Sequence, residues 1–195
     1  LHLLMVSFYR PSAERPAILI EKSAFPSDRY AVEAQIRFHG FNPDQALIEL
    51  EADEADGTLS EAAILRAIEA HGARVALVLL PGVQYLTDQA MDLASITRTA
   101  HAQGCVVGFD LAHAVGNLTL DLHDSGCDFA VWCSYKYLNS GPGAVAGAFV
   151  HERHATTTRP RFAGWWGHDK STRFRMGPAI VEPSHPCPRT LARFA

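Results

Sequence analysis

Three uninterrupted apolar runs constrain this chain more than any other feature: RVALVLL (74–80), CVVGFD (105–110) and FAVWCS (129–134). Runs of this length suit strands covered on both faces, the condition of a parallel sheet. Segments with helical periodicity separate them. SDRYAVEAQIRFHG (27–40) has Asp28 near its start and Gly40 at its stop. EAAILRAIEAHG opens with Thr58 and Glu61 at capping-box spacing and ends at Gly72. DQAMDLASITRTAHAQG (88–104) predicts a third helix, again stopped by glycine. AILI (17–20), LIEL (47–50) and AVAGAFV (144–150) are further strand candidates, and LDLHDSG reads as a short polar helix. The alternation predicts an α/β fold, a mostly parallel sheet flanked by helices.

Composition narrows the partners. The chain has 195 residues, 48% hydrophobic, with a formal net charge of -4 spread over both signs. No basic patch interleaved with aromatics suggests nucleic acid, and no run approaches the roughly 18 apolar residues of a membrane helix. LHLLMVSFYR lacks the basic region of a signal peptide. Cys105, Cys127, Cys133 and Cys187 show no metal spacing, so a reducing, cytoplasmic setting and no metal are expected. HERH (151–154) has a third ligand nowhere near and reads as surface histidines on a helix. The opening at Leu1 inside an apolar segment, and the proline-rich ending EPSHPCPRTLARFA, read as a piece of something larger.

Ligands of open α/β sheets sit beyond the carboxyl ends of the strands. Asp110 closes one apolar strand. One short helix and one strand later comes Lys136, between Tyr135 and Tyr137 in SYKYLNSGPG, at what reads as the end of the strand FAVWCSYKY. A salt bridge is the simple account of the pair. The sharper one is a group between them that needs an anion at one end and an amine at the other. Pyridoxal phosphate fits: a lysine amine condenses with its aldehyde, and an aspartate keeps its ring nitrogen protonated. A free lysine has a pKa of about 10.4, and desolvation beside a positively charged cofactor favours the reactive neutral amine.

GFDLAHAVGN, DFAVWCSYKYLNSGPGAVAGAFVHERH and RFAGWWGHDKSTRFRM resemble the kynureninases, as do LHLLMVSFYRP and AFPSDRYAVEAQIRFHG before them. The resemblance runs in order from residue 1 to about 177. It implies part of the large domain of a fold-type I pyridoxal-phosphate enzyme over 1–177, followed by a divergent tail over 178–195. Lys136 is then the Schiff-base lysine, Asp110 the partner of the pyridine nitrogen, and Tyr135 a proton-transfer helper near the phosphate. Phe25 stacks on the ring. Ser27, Asp28 and His113 belong to the cofactor's surroundings, and Trp165 reaches the phosphate. The implied reaction is hydrolysis of L-kynurenine, or 3-hydroxykynurenine, to anthranilate, or 3-hydroxyanthranilate, and L-alanine, in a homodimer serving tryptophan catabolism and NAD biosynthesis.

Other readings stay open beside it. Phe25 can be a core aromatic and His113 the partner of a carboxylate. The chain can be an inactive or weakly binding fragment, or a related lyase such as a cysteine desulfurase, although no cysteine here sits in a convincing reactive loop. The family's chain is expected to extend before Leu1. Its SNPP-type segment and carboxy-terminal arginine are missing after RFRMGP, as from a truncated or frame-shifted tail. Pro81 also stands where some relatives have a hydroxyl side chain.

Overall fold

The computed structural model describes residues 1–162. In chain order these form α1 (His2–Phe8), β1 (Ala17–Glu21), α2 (Pro26–Phe38), α3 (Pro43–Ala46), β2 (Leu47–Leu50), α4 (Glu61–His71), β3 (Val75–Pro81), α5 (Leu93–Ala102), β4 (Val106–Asp110), α6 (Leu122–Ser125), β5 (Phe129–Trp132) and β6 (Gly147–Val150). Among the described residues the strands make one sheet, in the order β2-β1-β3-β4-β5-β6. Each neighbouring pair is parallel except β5 and β6, which are antiparallel. The expected α/β sheet is therefore present. No helix among the described residues is long and apolar enough to cross a membrane.

The apolar runs are continuous because both faces of the sheet are covered. Successive side chains of a strand point to opposite faces. Leu19, Val78, Leu80, Val107 and Phe109 face Ile64 and Ile68 of α4 and Ile96 and Ala100 of α5. Ile18, Ile20, Leu77 and Leu79 face Met5 and Phe8 of α1 and Val32 and Ile36 of α2. From β1 the chain passes to β2 on one side and then to β3 on the other. The point where the winding reverses lies between the carboxyl ends of β1 and β3, the crevice where such sheets bind ligands.

Local chemistry sets the element ends, and several differ from expectation. Ser60, not Thr58, caps α4: its hydroxyl accepts the Ala63 N–H at 3.2 Å, while Asp53 holds Ser60 in turn. Thr58 instead bonds Asp56 in the preceding turn. The helix expected over 88–104 begins only at Leu93, because the Asp92 carboxylate accepts the Ser95 N–H and caps it there. Before it, Asp88 has a positive φ of 57° and Ala90 bridges to Val83, so 88–92 is a folded loop. The strand expected through 134 stops at Trp132, which puts Lys136 in the connection to β6 rather than on a strand end.

The histidines of HERH are not both surface groups. The His154 side chain is nearly buried and its Nε2 lies 2.7 Å from Asp128, which also meets His101, Arg153 and the Val107 N–H. Burial alone would raise the Asp128 carboxyl. The bonds from His101, His154, Arg153 and Val107 outweigh it and hold the group well below the usual carboxylate range. The network ties the segment after β6 to β4 and α5, at the sheet edge opposite the crevice. Trp165, Cys187 and the expected boundary at 177 lie outside the described residues.

Candidate active site

A cleft opens at the switch point, with an empty volume of about 460 Å³ including its mouth. Phe25, Asp28, Asp110, His113 and Lys136 all line it, and so do Glu21, Pro81 and Tyr85. Five of the residues singled out in the sequence thus meet in one place. Ser27 and Tyr135 are exposed and do not line the cleft.

Asp110 is fixed by the strand it ends. It lies between Pro81 of β3 and Val131 of β5 in the sheet register. Its carbonyl accepts the Gly82 N–H at 2.8 Å, and the next N–H, from Leu111, donates to Val131 at 2.7 Å. One carboxylate oxygen accepts the Ala112 N–H at 2.8 Å, which sets the side chain's rotamer. Across the cleft, Asp28 sits in the first turn of α2, where Pro26 at the start of the helix presets the backbone. Burial raises the Asp28 carboxyl, and its hydrogen bond with Asp110 and that group's charge raise it further. Two carboxyls pressed together this way share a proton unless a cation or a cationic N–H comes between them.

Lys136 is carried by a tightly knotted loop. The Ser140 N–H donates to Ser134, the Asn139 N–H to Lys136 itself, and the Ser134 hydroxyl to Val145 at 2.7 Å. Asn139 takes a positive φ of 55°, closing the turn. No ion pair joins Lys136 to Asp110 among the described residues; the ammonium lies over the Phe25 ring, 5.6 Å from its centroid. Phe25 meets Tyr85 edge to face at 5.4 Å, and His113 lies between Tyr85 and Tyr137. Burial lowers the His113 pKa, with the Lys136 charge acting the same way. Tyr135 has its hydroxyl pKa raised, first by the charge of Cys133 and then by a hydrogen bond to it.

The donor set suits pyridoxal phosphate. A protonated pyridine nitrogen satisfies the opposed carboxyls, a planar ring has the exposed Phe25 face to stack on, and the lysine amine is within reach of the same face. Glu21 and Tyr85 were missed in the sequence. The signal for Glu21 was available, since it ends β1 as Asp110 ends β4, but the run was read as AILI and stopped one residue short. Tyr85 had no such signal, because the loop after β3 folds back through contacts that periodicity does not report.

Residues 44–164 match the family model "Aminotransferase class-V". The chain belongs to this family. Members of the family are pyridoxal-phosphate dependent. The chain is 70% identical to a kynureninase of Stenotrophomonas maltophilia over 93% of its own length and 43% of the relative's. It is 67% identical to a kynureninase of Xanthomonas euvesicatoria over the same shares. It therefore spans less than half the length of these curated relatives. Among solved structures, a cystine C–S lyase shares the fold with a TM-score of 0.66 at 20% identity, over 86% of this chain and 44% of the lyase.

Proposed function

We propose that this chain is the cofactor-bearing part of a kynureninase, which cleaves L-kynurenine hydrolytically to anthranilate and L-alanine. The observation that carries the reading is the meeting of Lys136, Asp110, Asp28 and Phe25 at the switch point, in a chain 67–70% identical to kynureninases.

When bound, pyridoxal phosphate supplies an aldehyde for the substrate's amino group and a ring that draws electrons from the bond to be broken. Asp110, fixed at the end of β4, holds the proton on the ring nitrogen. Asp28, hydrogen-bonded with Asp110, would share in holding that proton, and the Phe25 face would orient the ring. The Lys136 amine would hold the aldehyde and, when free, would take the proton from the substrate's α-carbon and return it. His113 lines the polar edge of the ring. By the likeness to kynureninases, Ser27 would belong to the cofactor's surroundings, Tyr135 would assist proton transfer near the phosphate, and Trp165 would bind the phosphate. The whole protein works as a cytoplasmic homodimer, without nucleic acid or membrane.

The test is the visible absorbance of the purified chain with added pyridoxal phosphate, compared with Lys136→Ala. A band in the wild type that the variant lacks is expected. A wild-type spectrum identical to that of the variant overturns the reading.

A further inference from the structure

Glu21 is a buried carboxylate with no part in the chemistry above. It is 5% exposed and ends β1 at the switch point, where it forms a wall shared by two clefts. On one side is the cleft of Asp110 and Lys136. On the other is a wider one, about 710 Å³ with its mouth, bordered by Ser23, Gln84 and Gln89. The two glutamines are already occupied as loop staples, Gln84 donating to Ser23 and Gln89 to Leu59.

The charges around Glu21 are unbalanced. Asp110 faces it from β4 and Asp28 from α2, with Lys136 and His113 at the far side of the same cleft and Tyr85 at its rim. β3 contributes no titratable group there. The neighbouring charges on β1 and β2 turn elsewhere: Lys22 pairs with Glu51, and Glu49 with Arg29. An ionised Glu21 would thus add its charge to the Asp28–Asp110 pair, which already holds a shared proton, with only the Lys136 ammonium in the cleft and the Leu1 amino group near Asp28 to offset it. Burial pushes the Glu21 carboxyl up to about 7, the Asp110 charge adds to the rise, and a bond from its own backbone N–H opposes it.

We propose that Glu21 stores a proton for the ring-nitrogen pocket, holding it while the cleft contains no cationic ring and releasing it when the protonated nitrogen of pyridoxal phosphate enters. The O–H bond of the carboxyl breaks, and the proton passes to water through the second cleft. One positive charge leaves as another arrives. Glu21 is a positioning residue in this role, because it sets the field around Asp110 without contacting the reacting atoms. The inference rests on the cofactor reading above.

Linkage gives the test. A group protonated in the free protein below pH 7 and ionised in the complex weakens binding as pH falls. The dissociation constant of pyridoxal phosphate is measured on the whole chain at pH 6 and pH 8, for wild type and Glu21→Gln. Proton changes on the cofactor and on Asp28 occur in both chains, so the comparison reads the part that depends on Glu21. The wild type is expected to tighten about tenfold more than the variant across that range. Calorimetry at pH 6 in two buffers of different ionisation enthalpy is expected to count about one more proton released by the wild type. Equal pH dependence with equal proton counts overturns the role of Glu21 and leaves the cofactor reading standing. A wild type without a Lys136-dependent band overturns both. Should Glu21→Gln not fold, the Glu21 carboxyl carbon is followed by NMR in the wild type: a carboxyl that takes up a proton between pH 8 and pH 6 in the free chain and stays ionised with pyridoxal phosphate bound supports the role, and one already ionised at pH 6 without the cofactor overturns it.

Discussion

Gly108 lies in the middle of β4, opposite Phe129 of β5 in the register. A Cβ built there would fall 2.2 Å from the tip of the Phe129 ring and 2.6 Å from the two adjacent ring carbons. That ring is fully buried and packs on Phe8, with centroids 5.0 Å apart. It has no open space to move into, so Gly108→Ala forces either the ring out of its place or β4 away from β5. Overpacking a tight core costs about 1–3 kcal/mol, and losing a buried phenylalanine's contacts about 3–5 kcal/mol. A loss of about 3 kcal/mol is expected, equivalent to a melting point lower by about 6–12 °C in a chain of this size. Urea unfolding followed by circular dichroism measures it. The double variant with Phe129→Ala is the sharper assay. If the clash is with that ring, the two changes together cost about as much as Phe129→Ala alone, a coupling of about 2–3 kcal/mol. Gly108→Ala within about 0.5 kcal/mol of wild type, or simple additivity, refutes the reasoning. Asp110 lies two residues farther along the same strand, so the variant should also weaken uptake of pyridoxal phosphate.

Further outcomes follow from the caps and the basal network. Ser60→Ala should destabilise by about 1 kcal/mol, whereas Thr58→Ala should cost less because it touches only the preceding turn; thermal melts of the two variants separate them. Asp128→Asn should cost about 3 kcal/mol, since it leaves buried donors facing an uncharged partner. The folded-state pKa of Asp128 lies below the unfolded value of about 3.9, so its stabilisation is whole above about pH 4 and is lost as pH falls through the folded value. Acid unfolding curves should accordingly be shallower for the variant below about pH 4.

Much of the sheet was legible because its apolar runs are long and have both faces buried, and Asp110 was found because it closes one of them. Lys136 was legible as a residue of the cleft but misplaced on a strand end. Its apolar neighbours extend the run past Trp132, while hydrogen bonds from Ser134 and Ser140 curl the chain into a loop. Caps were harder to read. Thr58 and Ser60 have similar chemistry two positions apart, and the choice falls to Asp53, whose bond to Ser60 spans the intervening turn. The Asp128 network could not be read at all, since His101 reaches it from α5 and Arg153 and His154 from the turn after β6.

The antiparallel return of β6 has a mechanical consequence for Lys136. The connections that follow β1, β3 and β4 each run through a helix back along the sheet before the next, parallel strand begins. The loop bearing Lys136 instead leaves β5 and re-enters the sheet as the next strand, so both of its ends are clamped by adjacent, hydrogen-bonded backbone. A loop moored at two neighbouring points swings less than one moored to a distant helix. The amine's reach is therefore set by the length of that hairpin, and residues inserted into it would slacken the lysine's tether while leaving the sheet's winding unchanged.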